Sequence, residues 1–236
     1  MPDTVPELEE TKGLIDSRDP VASIRRLCAR FPGRVVFSTS FGMEDQVITD
    51  LISESDANVI IFTLDTGRMF PETYSTWKAT LDRYRIPIAA ETPDSDELGR
   101  LLSENGPNGF YESVEKRKEC CRIRKVEPLR RRLTGQSVWI TGLRASQSAE
   151  RAGLEMTEWD GANGIVKYHP LLAWTTERVR ERIRLRNIPY NPLHDRGFPS
   201  IGCAPCTRAV GPEEDERAGR WWWERNNGKE CGLHAR

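Results

Sequence analysis

The sequence predicts an α/β protein whose parallel sheet is covered by helices on both faces. Three observations predict it. Short apolar runs rich in Val and Ile alternate with stretches of helical period along most of the chain. The helical stretches open on helix-starting residues, Asp19 before Pro20, and Pro71. The 236 residues are enough for one large domain with a substantial core.

The elements follow in chain order. Residues 1–18 are polar and are expected to be flexible. "DPVASIRRLCARF" reads as a first helix, capped by Asp19. "RVVFSTSFG" is a buried strand running into a Ser/Gly loop, and "MEDQVITDLISES" is an amphipathic helix. "ANVIIFTLDTG" is a second strand ending in Asp65-Thr66-Gly67. "PETYSTWKATLDRYR" is a helix opened by Pro71. "IPIAAETP" is a third strand and "DSDELGRLLSENG" a further helix. "QSVWITGLR" and "IVKYHPLL" are the fourth and fifth strands, and "TTERVRERIRLRNIP" is a helix stopped before Pro189. Loops at the carboxyl ends of such strands form the binding crevice. The α/β unit is expected over residues 19–200. Residues 201–236, rich in Cys, Trp, Pro and Gly, read as a C-terminal appendage organised by something other than a sheet.

Charge narrows the function. Thirty-five basic residues face 36 acidic ones, for a formal net charge of −1. The chain is no general polyanion binder, and nucleic acid is not an expected partner. An anion site has to come from local clustering of Arg and Lys. No apolar run approaches the length that spans a bilayer, so no membrane association is expected. The N-terminal "MPDTVPELEETKGLID" is acidic and lacks the apolar core of a secretory signal. A cytoplasmic location is expected, where cysteines serve metals or catalysis more than disulfides.

There are six cysteines. Cys28, beside Leu27 and Phe31 in the first helix, reads as a small buried apolar side chain. Cys203 and Cys206 form Cys-Ala-Pro-Cys in a Pro/Gly loop, and Cys120 and Cys121 are adjacent in "KECCRIRK". Four thiolates in two pairs suit zinc or an iron–sulfur cluster. Sulfurs about 2.3 Å from one zinc sit close together, whereas neighbours on a helix project about 100° apart. A cluster offers separate iron corners, and the reading therefore favours iron–sulfur over zinc or no metal. Lys118, Arg122, Arg124 and Lys125 can offset thiolate charge, and Lys125 lies four residues after Cys121, where a helical turn points it at the same object. Cys231, in "KECGLHAR", has no cysteine partner left. Lys229 and His234 are near it in sequence and favour a thiolate, and Gly228 and Gly232 flank it, as for a nucleophile on a mobile arm.

The loop Ser38-Thr39-Ser40-Phe41-Gly42 leads into a helix, so its hydroxyls and N–H groups can cradle an anion; the plain alternative is a Ser-capped turn. Glu44 and Asp45 suit a cap or a ribose-facing position better than an anion site. Asp65 is open between capping the next turn and touching a nucleotide. His169 reads as a structural loop residue. Trp221, Trp222 and Trp223 read as packing at the base of the tail or as a docking surface.

Taken in order, "STSFGMEDQV", "LDTGRMFPETY", "KECCRIRKVEPL", "TGLRASQS", "GCAPCTR" and "ERAGRWWWE" with "KECGLH" resemble the assimilatory sulfonucleotide reductases. The likeness is to the iron–sulfur branch, which acts on adenosine 5′-phosphosulfate (APS), and it runs from about Val35 to His234. The resemblance implies an adenine-nucleotide α-hydrolase-like fold around a five-stranded parallel sheet, with residues 19–200 binding the nucleotide. It implies one 4Fe–4S cluster on Cys120, Cys121, Cys203 and Cys206. Cys231 would attack the sulfate sulfur, releasing AMP and leaving an S-sulfocysteine. A separate dithiol protein such as thioredoxin would then free sulfite. Substrate contacts are expected from Ser38, Ser40, Gly42, Asp65, Gly67, Lys125, Arg144, Arg217, Arg220 and His234. Arg68 is either a further contact or a brace for its loop. Reduction of the 3′-phosphorylated nucleotide (PAPS) is the nearest alternative, and a non-enzymatic iron–sulfur nucleotide sensor is a more distant one. Self-association of the chain is left open.

Overall fold

The computed structural model describes residues 6–147, 151, 153–224 and 233. Its helices are α1 (Pro6–Leu14), α2 (Pro20–Arg30), α3 (Met43–Ser55), α4 (Pro71–Tyr84), α5 (Ser95–Asn105), α6 (Val114–Cys121), α7 (Glu127–Leu133) and α8 (Thr176–Arg186). Its strands are β1 (Val35–Ser38), β2 (Ile60–Leu64), β3 (Ile88–Glu91), β4 (Val138–Ile140), β5 (Thr157–Asp160) and β6 (Ile165–Tyr168). The sheet runs β3-β2-β1-β4-β6-β5. The five strands expected from sequence are the five parallel ones. β5 adds an antiparallel edge, pairing Trp159 with Val166. Its Thr-Glu-Trp-Asp sequence lacks the apolar run that marks a buried strand, because an edge strand has one neighbour and an exposed margin.

Both faces of the sheet are covered. On one, Val35, Phe37, Val138 and Ile140 pack with Ile24 and Leu27 of α2, Val47, Ile48 and Leu51 of α3, and Val179 of α8. On the other, Val36, Phe62 and Trp139 pack with Leu129 and Leu133 of α7. Alternate residues of β1 thus serve opposite layers, as a central parallel strand requires.

Helix starts follow the sequence signals. Asp19 accepts a hydrogen bond from Ala22 N at 2.9 Å, with Pro20 in the first turn of α2. Thr175 caps α8. Residues 1–18 were expected to be flexible; of these, 6–14 form α1. Thr11 is fully buried there, and Leu14 and Ile15 pack on the core, a foothold the polar composition hides. No helix among the described residues is long and apolar enough to cross a membrane.

From β1 the chain winds outward through β2 to β3, and on the other side through β4 to β6. The order reverses between β1 and β4, so their carboxyl ends splay apart and open a crevice there. Phe37 is fully buried beneath it. Phe37→Ala is expected to lower the unfolding free energy by about 3–5 kcal/mol in urea melts, and Asp19→Ala by about 1 kcal/mol. A Phe37 loss no larger than the cap loss would contradict this placement of the core.

Candidate active site

The crevice is a cleft of about 250 Å³. Ser38, Ser40 and Gly42 line it after β1, Thr141 and Gly142 after β4, and Leu64 and Thr66 after β2. The β1–α3 loop bends sharply at Phe41, which takes a left-handed φ of 61° while fully buried. Stacking on Trp77, with ring centroids 5.5 Å apart, holds it there. Gly42 enters α3 with no side-chain cap. The first N–H groups of the helix are therefore left to a ligand or to water.

Asp45 completes this loop from below. Its Oδ2 accepts Ser40 N at 2.6 Å and Ser40 Oγ at 2.7 Å. Burial pushes its carboxyl up to about 6, against the pull of the Ser40 hydrogen bonds. Gly142 makes room for it, since a Cβ at that position would lie 2.3 Å from Asp45 Oδ1. Asp45 thus braces the loop, as the sequence suggested for a carboxylate unsuited to an anion site.

The cations divide. Lys125, Arg151, Arg217 and Arg220 line the cleft. Arg144, expected at the substrate, is 2 % exposed and its fork is spent. Nε donates to Glu44 at 2.8 Å, Nη1 to Ser146 Oγ and Trp174 O, and Nη2 to Thr176 Oγ1. It positions Glu44 on the cleft wall. Arg151, seven residues on in the same loop, is the arginine the sequence reading missed; nothing in a lone loop arginine distinguishes it from its neighbours.

The Asp65-Thr66-Gly67-Arg68 loop is shaped internally. Asp65 Oδ1 accepts Gly67 N at 2.9 Å and Tyr74 Oη at 2.8 Å, the contacts of a local turn cap. Gly67 takes a φ of +67°. Arg68 faces a second cavity, donating to Asn108 Oδ1 at 3.1 Å and lying over Phe110.

That second cavity is lined by Cys120, Cys121, Cys203 and Cys206, with Arg68, Arg117, Arg124 and Lys125 around them. All four cysteines are free thiols. Two come from the end of α6 and two from a turn whose Ala204 N donates to Arg68 O at 2.8 Å. Among the described residues no three His, Cys, Asp or Glu side chains close around a single metal ion. The four thiols line one cavity.

Burial raises the Cys203 thiol, but Lys125, a 3.3 Å contact with Thr66 Oγ1, Arg220 and Arg124 together bring it below its ordinary value. Burial, then Cys203, drives Cys206 up to about 12. Burial raises Cys120, with Arg124 opposing. Cys28, away from the site, is pushed up to about 11 by burial alone, in keeping with an inert apolar role. Arg124 Nε and Trp221 Nε1 are buried beside the cavity without a hydrogen-bond partner.

After α6 the backbone widens into a π-helical turn over Arg122–Val126, with Glu127 N donating to Arg122 O. Pro128 has no N–H to give Arg124 O, so the α-helical ladder is broken here. Arg124 then reaches Thr66 O at 2.6 Å, and Lys125 borders both cavities. Residues 221–224 pack beside the cysteine cavity, against α6 and Tyr111. Trp221 N donates to Cys206 O at 3.0 Å, Arg117 and Glu224 form a buried ion pair at 2.7 Å, and Trp223 packs on Tyr111 at 4.5 Å. Trp222 is exposed. His169 is fully buried, with Nδ1 2.7 Å from Thr141 Oγ1, a structural place as expected. Cys231 and His234 lie outside the described residues, but Leu233 packs on the cleft's apolar wall beside Leu64, Leu129 and Trp139.

A parallel sheet with an anion-ready loop at its reversal point and a thiol-lined cavity beside it defines a nucleotide-binding α/β protein with thiol chemistry next to its ligand cleft. Residues 34–209 match the phosphoadenosine phosphosulfate reductase domain, and the chain belongs to that family. It is 52% identical to an adenosine 5′-phosphosulfate reductase of Allochromatium vinosum over 86% of this chain and 79% of that protein. It is 47% identical to one of Sinorhizobium fredii (strain USDA 257) over 96% of this chain and 91% of that protein. Among solved structures it resembles a phosphoadenylyl-sulfate reductase from Candida auris in a phosphate complex. There the TM-score is 0.71 at 25% identity, over 88% of this chain and 98% of that one. A Candida glabrata FMN adenylyltransferase shares the fold, with a TM-score of 0.55 at 17% identity over 94% of this chain and 75% of that one.

The Asp45 proton has a consequence for stability. Its folded-state value lies above the ordinary 3.8, so the folded chain holds the proton more tightly than the unfolded chain does. That contribution is present in full below about pH 4 and is lost as the pH rises through about 6. The stability difference between wild type and Asp45→Asn is expected to change by roughly 2–3 kcal/mol between pH 4 and 7 in urea melts. A difference that does not vary with pH would contradict the buried position.

Proposed function

We propose that this chain reduces adenosine 5′-phosphosulfate to sulfite and AMP, using Cys231 as nucleophile. The observation that carries this reading is Lys125, a cation bordering both the cleft and the cysteine cavity. The printed names of the relatives at 47–52% identity support the same substrate over its 3′-phosphorylated form.

The phosphosulfate binds at the end of the cleft bordered by Lys125 and Arg220, and Ser38, Ser40 and Gly42 line its wall. Lys125, Arg151, Arg217 and Arg220 surround it. A thiolate approaching this dianion meets repulsion unless cations offset the charge, so neutralisation and alignment are the main work of the site. The Cys231 thiolate attacks sulfur and an S–S bond forms. The bond from sulfur to the bridging oxygen breaks, and AMP leaves with the electron pair. A dithiol protein of the thioredoxin type then attacks the Cys231 sulfur and displaces sulfite. Its second thiol resolves the mixed disulfide and regenerates Cys231. The dithiol supplies both electrons, and the sulfur centre gains them as sulfite. His234, three residues from Cys231, is assigned to tuning that thiol. Leu233 on the cleft wall fits this reading.

Cys120, Cys121, Cys203 and Cys206 would hold a 4Fe–4S cluster. The fit rests on four free thiols lining one cavity, a ring of cations, and buried donors at Arg124 Nε and Trp221 Nε1 that lack acceptors. When bound, such a cluster supplies fixed charge beside Lys125, as thiol–disulfide exchange already accounts for the two electrons.

Intact mass spectrometry after mixing with APS and no reductant is expected to show one added sulfite-sized group, lost on adding thioredoxin and absent in Cys231→Ser. Lys125→Ala should slow formation of that adduct by about 10²–10³-fold. Wild-type protein that stays unmodified would overturn the covalent route. Iron and acid-labile sulfide are expected in anaerobically prepared wild type and lost in Cys203→Ser; zinc without sulfide would overturn the cluster assignment.

A further inference from the structure

The cleft has two electrostatic ends. Against the cysteine cavity stand Lys125 and Arg220, both of which pull on the Cys203 thiol. The other end, over the first turn of α3, holds Glu44, Glu216 and the imidazole of His194. His194 stands on a short 3₁₀ turn, Pro192–Arg196, that is firmly pinned. The fully buried Asn191 donates to Thr73 Oγ1 at 3.1 Å and accepts Leu193 N at 3.0 Å, and His194 N donates to Asn191 O at 3.1 Å.

The His194 side chain is 7 % exposed, yet neither ring nitrogen has a hydrogen-bond partner. The Phe198 backbone lies beside the ring and makes no hydrogen bond of normal geometry with it. Burial lowers the imidazole below its ordinary value, although Glu44 and Asp195 raise it, and Arg180 lowers it further. A buried polar group of this kind is costly unless something in the cleft completes it.

The chemistry of the missing partner is constrained. A neutral imidazole is a poor partner for a phosphosulfate, whose charge a cation offsets better. It suits a hydroxyl, which can both donate and accept. We propose that His194 is a specificity-determining contact for a free ribose hydroxyl of the nucleotide, with Glu216 repelling a phosphate group at that position. This deepens the sulfonucleotide reading and rests on it. Of the cations near this end, Arg180 is exposed, where solvent screens its charge. Arg144 is paired with Glu44 and hydrogen-bonded on every nitrogen.

The test is titration calorimetry of AMP, 2′-deoxy-AMP and 3′-deoxy-AMP against the full chain. Wild type is expected to bind one of the deoxy nucleotides about tenfold more weakly than AMP. His194→Ala should bind AMP with that same loss and no longer tell the two apart, and His194→Asn should recover part of the difference. Glu216→Gln should raise kcat/KM for PAPS relative to APS several-fold. Equal binding of all three nucleotides by wild type would overturn the ribose contact whatever the variants do, and so would a uniform loss across them in His194→Ala. An unchanged PAPS to APS ratio in Glu216→Gln would overturn the repulsion. Failure of wild type to bind AMP at all would instead bring down the underlying nucleotide reading.

Discussion

The arrangement depends on holding positive charge where two anionic objects meet at a buried wall. Thiol sulfurs lie on one side, and on the other lies a cleft built for an anion. Lys125 borders both. Lys125 is partly buried, so its charge is costly unless neighbouring groups offset it, and it lowers the Cys203 thiol in turn. The backbone device that allows it is the π-helical turn ahead of Pro128. An unbroken α-helix would present Arg124 and Lys125 one after the other on a regular spiral. The wider turn lets Arg124 reach across to Thr66 O and leaves Lys125 at the shared wall.

The surroundings serve this wall more than global stability. Arg117 and Glu224 form a bidentate pair in which the two side chains are 2 % and 7 % exposed, and Arg117 also lies over Trp221 at 4.7 Å. Buried ion pairs of this type are weak contributors to net stability, but removing one partner strands the other. Here the pair fixes the helix that carries Cys120 and Cys121 against the segment that carries Cys203 and Cys206. It therefore specifies geometry between two stretches of chain about eighty residues apart.

The layers were legible in the sequence because burial on both faces leaves a simple record. Val35, Val36 and Phe37 are all apolar since opposite layers claim alternate residues. Asp19 and Pro71 announced their helices for equally local reasons. The cysteine pairs were legible because thiols are rare enough for their spacing to carry information, and Lys125 because it lies four residues after Cys121. What failed to show was anything decided by long-range pairing. Thr157–Asp160 becomes a strand through β6 alone. Arg144 and Arg151 share a loop, and only the fold reveals that Glu44, Ser146, Trp174 and Thr176 consume the first and leave the second at the cleft. His194 carried no signal in the sequence at all, since its meaning lies in what it fails to touch.

A net charge of −1 looks unpromising for a protein that must seize a dianion, and the fold resolves the conflict by segregation. Many guanidinium groups are committed to carboxylates on the surface, as Arg122 is to Glu119 and Arg208 to Glu214. Such pairs are largely screened and direct little field into the cleft. The cations of the cleft act at short range in a partly desolvated space, where the same charge is worth several times more. The carboxylates in the cleft follow the same logic in reverse. Asp45 is spent on Ser40 and Glu44 on Arg144, so each shapes the wall while contributing less than a full charge to it. A ligand with its negative charge at one end and a neutral body at the other is the shape this division of charge accepts.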